Sequence, residues 1–111
     1  MARTDLYDIL ACAVSTAAQI TSASHATLLL LEPGGEQVRY RVALASGNLA
    51  PLELVARPMM QKGMAGWVAR ERRAAIVPDT ASDPRWLPGP GSGDLRSALV
   101  APLLAADQVL G

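Results

Sequence analysis

Cysteine and histidine, the side chains best suited to nucleophilic and general-base catalysis, occur once each, as Cys12 and His25. Nucleophilic catalysis needs a nucleophile, a base and usually an orienting group within hydrogen-bond reach. Cys12 lies between Leu10 and Val14, on or beside an apolar stripe, where a free cysteine commonly acts as a small hydrophobic residue. We therefore predict no Cys12–His25 catalytic pair. A single cysteine also excludes an intramolecular disulfide and a cluster of cysteine metal ligands, so we predict no metal site.

The other candidate polar residues lie in and beside one long loop. Asp79, Asp83 and Asp94 could work as paired carboxylates, but aspartates in loops more often cap turns and helices. Arg85 and Arg96 could bind a carboxylate or a phosphate in bidentate fashion. They could instead pair with the neighbouring aspartates or with solvent, and that arrangement is the more common one.

Glycine and charge patterns exclude several functions. The pair Gly63 and Gly66 is too closely spaced for a phosphate loop and indicates a tight helix entry and a close backbone approach. Ten basic and ten acidic residues give a net charge of zero, without the basic patch of a nucleic-acid-binding protein. The densest basic cluster suits the C-terminal end of a helix, which cations stabilise. Its members are Arg70, Arg72 and Arg73.

Membrane insertion and secretion are not expected either. The longest apolar stretch covers nine residues, 98–106, whereas a membrane span needs about 20. The first residues lack the basic-then-apolar pattern of a secretory signal. We therefore expect a cytoplasmic domain that binds neither nucleic acid nor a membrane.

The first predicted element is an amphipathic helix from Leu6 to Ile20. Thr4 is suited to cap its N-terminus, and Asp5 and Asp8 would lie favourably in its first turn. Apolar residues recur at three- and four-residue spacing and form one stripe. The stripe consists of Leu6, Ile9, Leu10, Ala13, Val14, Ala17 and Ile20.

A β-hairpin is predicted next. The apolar run within Ala26–Glu32 is typical of a strand buried on both faces, and Pro33–Gly35 is a strong turn signal. Apolar and polar residues alternate from Val38 to Leu44, which indicates a half-buried strand. Residues 47–51 predict a loop.

Shorter elements follow. Residues 52–60 predict a weaker strand, which Pro58 would place at a sheet edge or a bulge. A short helix is predicted over Gly63–Arg70 and a brief strand over Ala75–Val77. The connection 80–95 is long enough to be functional or mobile. Within it, Asp83 followed by proline predicts a single helical turn through Trp86.

The last predicted elements are a strand over Ser97–Leu104, a tight turn at Asp107–Gln108 and the beginning of another strand at Val109–Gly111. Mostly antiparallel strands with helices packed on them make an α+β fold. At 111 residues, the chain is predicted to be one domain, residues 1–111.

Four stretches of this sequence, taken in order, resemble the GAF domain family. They are Gly63–Asp79, Asp83–Trp86, Arg96–Leu103 and Val109–Gly111. The family pattern has a Gly-x-x-Gly helix start, an apolar strand ending in aspartate, a loop with Asp-Pro-Arg, and a strand that opens with serine and contains proline. The opening helix and hairpin agree, so the resemblance spans nearly the whole chain.

The resemblance implies a GAF-like, and so PAS-like, antiparallel sheet flanked by helices, with the last strand and helix missing from this chain. It implies a sensory or regulatory domain of a larger signalling protein such as a histidine kinase, a nucleotide cyclase or a transcription regulator. Family members bind small molecules between the sheet and its capping loops. Carried over to this chain, that position predicts a ligand site at Trp67, Asp79, Arg85, Trp86, Arg96 and Ser97.

The departures from the family disfavour each ligand class that has a legible signature. Bilin-binding members attach their chromophore through a cysteine in the loop region, and residues 79–97 contain none. Cyclic-nucleotide-binding members carry an Asn-Lys-Phe-Asp-Glu signature, and this chain has no phenylalanine. Haem-binding members need an axial histidine in a place that His25 does not occupy. The methionine sulfoxide reductase branch uses more than one cysteine. The cofactor therefore stays unknown.

Alternatives remain at this stage. The domain could bind no ligand and serve only for dimerisation and signal relay, it could have a PAS fold, or, least favoured, it could be a free-standing enzyme. A homodimer is expected because the helix Leu6–Ile20 carries a wide apolar stripe and because the edge of Ser97–Leu104 would lack a partner strand. An effector domain is expected in the same full-length chain.

Overall fold

A computed structural model describes residues 6–32, 37–54, 63–86 and 95–111. Contacts divide the chain into a first unit, Met1–Leu30 with Val38–Arg57, and a second unit, Leu31–Gln37 with Pro58–Gly111. Some predicted caps, turns and loop residues lie outside the described residues. They are Thr4, Asp5, Pro33–Gly35, Pro58 and Asp94.

Helix α1 (Leu6–Thr21) opens the first unit and confirms the predicted amphipathic helix. Its buried line is narrower than the predicted stripe, because Ile9 and Ile20 are 53% and 78% exposed. The buried residues repeat every four positions, and each residue advances about 100° around a helix, so Ile9 lies well away from this line. The buried residues are Leu10, Val14 and Ala18.

Strands β1 (His25–Leu31) and β2 (Val38–Ala45) are neighbours in one sheet. The alternation predicted for β2 is confirmed: Val38 and Val42 are buried, and the two arginines between them in the sequence are exposed. The prediction that β1 is buried on both faces is wrong, since most of its residues are only half-buried and Thr27 is exposed. Its alternate residues Ala26 and Leu28 pack against the core.

The core of the first unit joins α1 to β2. Leu10 and Val14 of the helix contact Val42, which is fully buried. Burying a side chain of this size stabilises the fold by about 1.5–3 kcal/mol. Partly buried residues surround this core: Leu6, Tyr7, Ala26, Leu28, Tyr40, Leu44 and Leu52.

A tight turn follows β2 where a loop over 47–51 was predicted. Ser46 and Gly47 have φ angles of 49° and 83°, and two positive values are what a two-residue type I′ turn requires. The turn leads into β3 (Asn48–Leu49), which pairs antiparallel with the end of β2. The loop prediction was therefore wrong.

Strand β4 (Glu53–Leu54) pairs with an earlier part of β2, and the segment 50–52 between β3 and β4, which contains Pro51, forms a bulge with one extra residue. Leu44 pairs with Leu49 and Tyr40 pairs with Leu54, which sets four residues of one chain segment against three of the other. A proline without an N–H group fits such a bulge, because it cannot donate to the ladder. Most of the strand predicted over 52–60 lies outside the described residues.

The second unit contains helix α2 (Met64–Glu71) and strand β5 (Ala75–Val77), and both confirm the sequence prediction. Strand β6 (Ala98–Val100) pairs antiparallel with β5, so that Ile76 lies opposite Leu99. Helices and antiparallel strand pairs together confirm the α+β fold class.

The end of the second unit differs from prediction. The strand expected over Ser97–Leu104 is interrupted after Val100, since Pro102 removes a backbone donor. Strands β7 (Leu104–Ala105) and β8 (Gln108–Val109) form a separate hairpin. Its turn lies at Ala106–Asp107, one residue earlier than predicted, with φ of 54° at Ala106.

Backbone hydrogen bonds connect the last residues of the chain to Leu31 and to Leu103. Leu31 donates its N–H to the carbonyl oxygen of Leu110 at 2.8 Å. Leu110 donates in turn to Leu103 at 2.7 Å, and Leu103 donates to Gly111 at 2.8 Å. Within the second unit, Leu31 thus lies beside the C-terminal residues.

Candidate functional site

The geometry of helix α2 places Trp67 at the centre of the candidate site. Gly63 precedes the helix with a φ of 89° and accepts the N–H of Trp67 at 3.1 Å, which confirms the predicted tight helix entry. Arg72 ends the helix in the left-handed conformation, with a φ of 57°. The chain reverses there, and the guanidinium carbon of Arg73 lies 5.3 Å from the centroid of the Trp67 ring.

Both tryptophans border the apolar core of the second unit. Both residues are half-buried, and each packs against the buried residues of α2 and β5. The buried members of this core are Met64, Val68, Ala75 and Val77, and its partly buried members are Trp67, Trp86, Ala98 and Val100.

One side-chain and one backbone hydrogen bond close the turn Asp83–Trp86. Asp83 Oδ1 accepts the backbone N–H of Arg85 at 2.9 Å, and the Asp83 carbonyl accepts the N–H of Trp86 at 3.1 Å. The predicted cap at Asp83 is therefore present, but it closes a single turn without a helix. This turn presents Trp86 to the apolar core.

The same aspartate holds the Arg85 guanidinium in bidentate fashion. Arg85 donates from Nε to Oδ1 of Asp83 at 3.0 Å and from Nη2 to Oδ2 at 2.7 Å. The guanidinium carbon lies 4.5 Å from the centroid of the Trp67 ring, within the range of a cation–π contact. These hydrogen bonds from Arg85 hold the pKa of the Asp83 carboxyl below its usual value, and the same bonds raise the pKa of Arg85.

Asp79 and Thr80 fix the beginning of the loop. Asp79 Oδ1 accepts the N–H of Ala81 at 3.0 Å, so its carboxylate closes a turn. Thr80 donates from Oγ1 to the carbonyl of Leu95 at 2.6 Å and from its N–H to the carbonyl of Arg96 at 2.8 Å. Thr80 thereby ties the two ends of the loop together.

Thr80 was missed by sequence analysis. The available signal was a hydroxyl residue directly after a strand and an aspartate, a position that favours side-chain bonds to the backbone. Its partners are 15 and 16 residues away, so the pattern alone could not identify them.

The structure brings only part of the predicted site together. Trp67 and Arg85 are in direct contact, and Trp86 packs on the same apolar core as Trp67. The other three predicted residues, Asp79, Arg96 and Ser97, are exposed at the ends of the loop. They are connected to one another through Thr80 and the chain, and the described contacts do not bring their side chains to Trp67.

The two residues considered for catalysis lie in the first unit. His25 Nδ1 is 2.9 Å from Oγ of the neighbouring Ser24. Cys12 is exposed on α1, so the prediction that it acts as a small hydrophobic residue is wrong. Among the residues that the structure describes, no three histidine, cysteine, aspartate or glutamate side chains form a group that could hold a metal ion.

Comparison with known proteins identifies a family. A family model described as a GAF domain matches residues 3–111. No curated protein and no solved structure matches the chain. Across the described parts of the chain, neither helix has the length and apolar character needed to cross a membrane.

Proposed function

Because the chain belongs to the GAF domain family, we propose that it is a regulatory domain that senses a small ligand within a larger signalling protein. GAF domains are regulatory and sensory domains, and they are generally not catalytic. A histidine kinase, a nucleotide cyclase or a transcription regulator in the cytoplasm would supply the effector domain in the same full-length chain.

The grouping of Trp67, Arg85 and Trp86 carries this proposal. Two half-buried aromatic rings and a positioned guanidinium offer apolar area and a fixed cation together, as small-molecule sites do. Asp79 and Thr80 fix the described ends of the loop, and Asp83 closes the turn that carries Arg85 and Trp86. Arg96 and Ser97 at the far end of this loop complete the proposed site.

A metabolite screen by thermal shift tests the proposal, because a ligand that binds the folded state raises the melting temperature by mass action. We expect a stabilising compound whose effect is lost in Arg85→Gln and in Trp86→Leu. Arg39→Gln is the matched control, since Arg39 also lies over an aromatic ring, at 5.5 Å from the Tyr40 centroid, but in the first unit. A compound that stabilises all of these variants equally would contradict the proposed site.

A second function, homodimerisation without a ligand, is favoured by the exposed face of α1. Ile9 and Ile20 are largely exposed on this face, and Ala13 and Ala17 would allow a second helix to approach closely. Two copies of the chain could bury these residues against each other in a closed dimer. Cys12 is exposed on the same helix and provides a probe of that contact.

Light scattering with size-exclusion chromatography tests the dimer. We expect Ile20→Glu to produce a monomer, and we expect mild oxidation to cross-link the unmodified chain through Cys12. The control is Ile76→Glu, which charges an isoleucine of the second unit that is 72% exposed. A dimer that survives Ile20→Glu would eliminate this helix as the interface.

We propose no catalytic activity for this domain. His25 and Cys12 are separate side chains without a described contact between them, and His25 pairs with Ser24. Turnover of any substrate that disappears in Cys12→Ala or in His25→Ala would contradict this proposal.

A further inference from the structure

We propose that Arg73 and Arg85, which both lie over the indole ring of Trp67, form a binding site for a small oxyanion, a phosphate or a carboxylate group. This inference rests on the proposed function and names the chemical class of the ligand. It also adds Arg73, a residue that the predicted site did not include.

The guanidinium groups of Arg73 and Arg85 lie close to the same indole ring. The guanidinium carbon of Arg73 lies 5.3 Å from the Trp67 centroid, and that of Arg85 lies 4.5 Å from the same point. The two cations are therefore within about 10 Å of each other. A single ligand with one or two anionic groups could reach both.

Both arginines have N–H groups that their described carboxylate partners do not use. A guanidinium has five N–H groups, and two of those on Arg85 donate to Asp83. The side chain of Arg85 is 30% exposed, so its other edge is open to a ligand. Among the described residues, the partner of Arg73 is Glu71 at 3.8 Å, which is too long for a hydrogen bond. Arg73 is 69% exposed and can reorient toward an anion.

The charge around Trp67 also favours an anion. Segments 71–73 and 83–85 contain three arginines and two carboxylates, although the whole chain has a net charge of zero. An oxyanion would reduce this local excess of positive charge. The planar guanidinium also matches carboxylate and phosphate oxygens in bidentate geometry.

The arrangement favours an anion over a flat aromatic ligand. Both guanidinium carbons lie within 5.3 Å of the Trp67 centroid, so an aromatic ligand would have to compete with these groups for the ring. An oxyanion needs no displacement, because it would bind the outer N–H groups while Arg85 keeps both bonds to Asp83.

Trp67 itself provides the readout. In Trp86→Phe, Trp67 is the remaining tryptophan, so its fluorescence reports directly on the site. Inorganic phosphate and succinate are titrated separately, with sodium chloride adjusted to hold the ionic strength constant. We expect a saturable change in emission with at least one of the two anions.

Charge variants identify the residues that bind. We expect Arg73→Gln to weaken the apparent affinity about tenfold, since the glutamine removes a charged hydrogen-bond donor from the anion. Arg73→Lys should retain part of the affinity, because a lysine keeps the charge without the bidentate geometry. Arg39→Gln should bind like the parent chain. Because Trp86 belongs to the proposed site, calorimetric titration of the unmodified chain measures the same binding with Trp86 in place, and it decides the outcome if Trp86→Phe does not fold or binds more weakly.

The outcomes separate the inference from the proposed function. Saturable binding of phosphate alone assigns a phosphate-bearing ligand, and binding of succinate alone assigns a carboxylate. A response that sodium chloride reproduces, or equal binding by Arg73→Gln and the parent chain, would overturn the inference. If neither anion binds while an uncharged metabolite stabilises the chain through Arg85 and Trp86, the oxyanion site is wrong and the sensing function stands.

Discussion

The first unit builds its core from long elements, and the second unit builds its core from short ones. In the first unit, fully buried Val42 belongs to a strand of eight residues and packs on a helix of 16. In the second unit, fully buried Val77 belongs to a strand of three residues and packs on a helix of eight. Short elements bury less surface, so other contacts must hold them in place.

Those contacts come from polar side chains in the loop. Thr80 connects the residues after β5 to those before β6, and Asp83 fixes the turn that presents Arg85 and Trp86. The described residues of the first unit show a simpler polar bond, from Thr21 Oγ1 to the carbonyl of Ala17 in the same helix. In this chain the candidate site therefore lies where polar side-chain hydrogen bonds, and not long apolar elements, hold the backbone.

Truncating the buried valines should have the largest effect. We expect Val42→Ala and Val77→Ala each to lower the free energy of unfolding by about 1–3 kcal/mol, because each leaves a cavity in a closed core. Ile76→Ala is the control in the same strand as Val77, and it should cost much less since Ile76 is 72% exposed. Urea denaturation followed by circular dichroism measures all three. An equal loss for Ile76→Ala and Val77→Ala would contradict the burial described for β5.

Removing one hydroxyl group should distinguish the two units more sharply. We expect Thr80→Val to lower the free energy of unfolding by about 1–2 kcal/mol, because the Leu95 carbonyl loses its partner. Thr21→Val removes a hydroxyl bond of similar length that stays within α1 and is exposed, so it should be nearly neutral. The same denaturation experiment compares them. Equal effects of the two substitutions would show that Thr80 does not tie the loop.

The hairpin turns provide the next comparison. Gly47→Ala should destabilise by about 1 kcal/mol because φ at this position is 83°, while an added Cβ would meet no atom within 4 Å. Ala106→Gly should stabilise by about 0.5–1 kcal/mol, since φ at Ala106 is 54°. Thermal melts measure both changes. Stabilisation by Gly47→Ala would contradict the positive φ at Gly47 in this turn.

The pH dependence of the Asp83–Arg85 pair should be the smallest effect on stability, since the pair is partly exposed. The pKa of Asp83 is lowered in the folded state. Its contribution is therefore present above the unfolded pKa of about 3.9 and is lost as the pH falls through the folded value. We expect the fluorescence of Trp67 to change in this acidic range as Arg85 is released.

Asp83→Asn provides the control for the pH experiment. Its side chain does not titrate, so the acidic step in Trp67 fluorescence should be absent from this variant. The measurement is best made in the Trp86→Phe background, where Trp67 is the remaining tryptophan. An unchanged acidic step in Asp83→Asn would assign the transition to another carboxyl group.

Elements with a local sequence signal could be predicted without knowledge of the fold. Apolar spacing of three and four residues specified α1, strict alternation specified β2, and the glycine at position 63 specified the entry to α2. Each pattern is set by neighbouring residues on one helix or strand, so it can be read without knowledge of the fold. The ordered GAF-like stretches added the family, which the family model confirms.

Which partner each polar residue takes depends on the tertiary structure. The sequence left open whether Arg85 binds an anion or the neighbouring aspartate, and the fold places both Asp83 oxygens within 3.0 Å of it while Trp67 lies beneath. Thr80 finds its acceptor at Leu95, and Arg73 reaches Trp67 after the chain reverses at Arg72. A hydrogen bond depends on a few tenths of an ångström between atoms that can be far apart in the chain, and the packing of α2, β5 and β6 sets those distances.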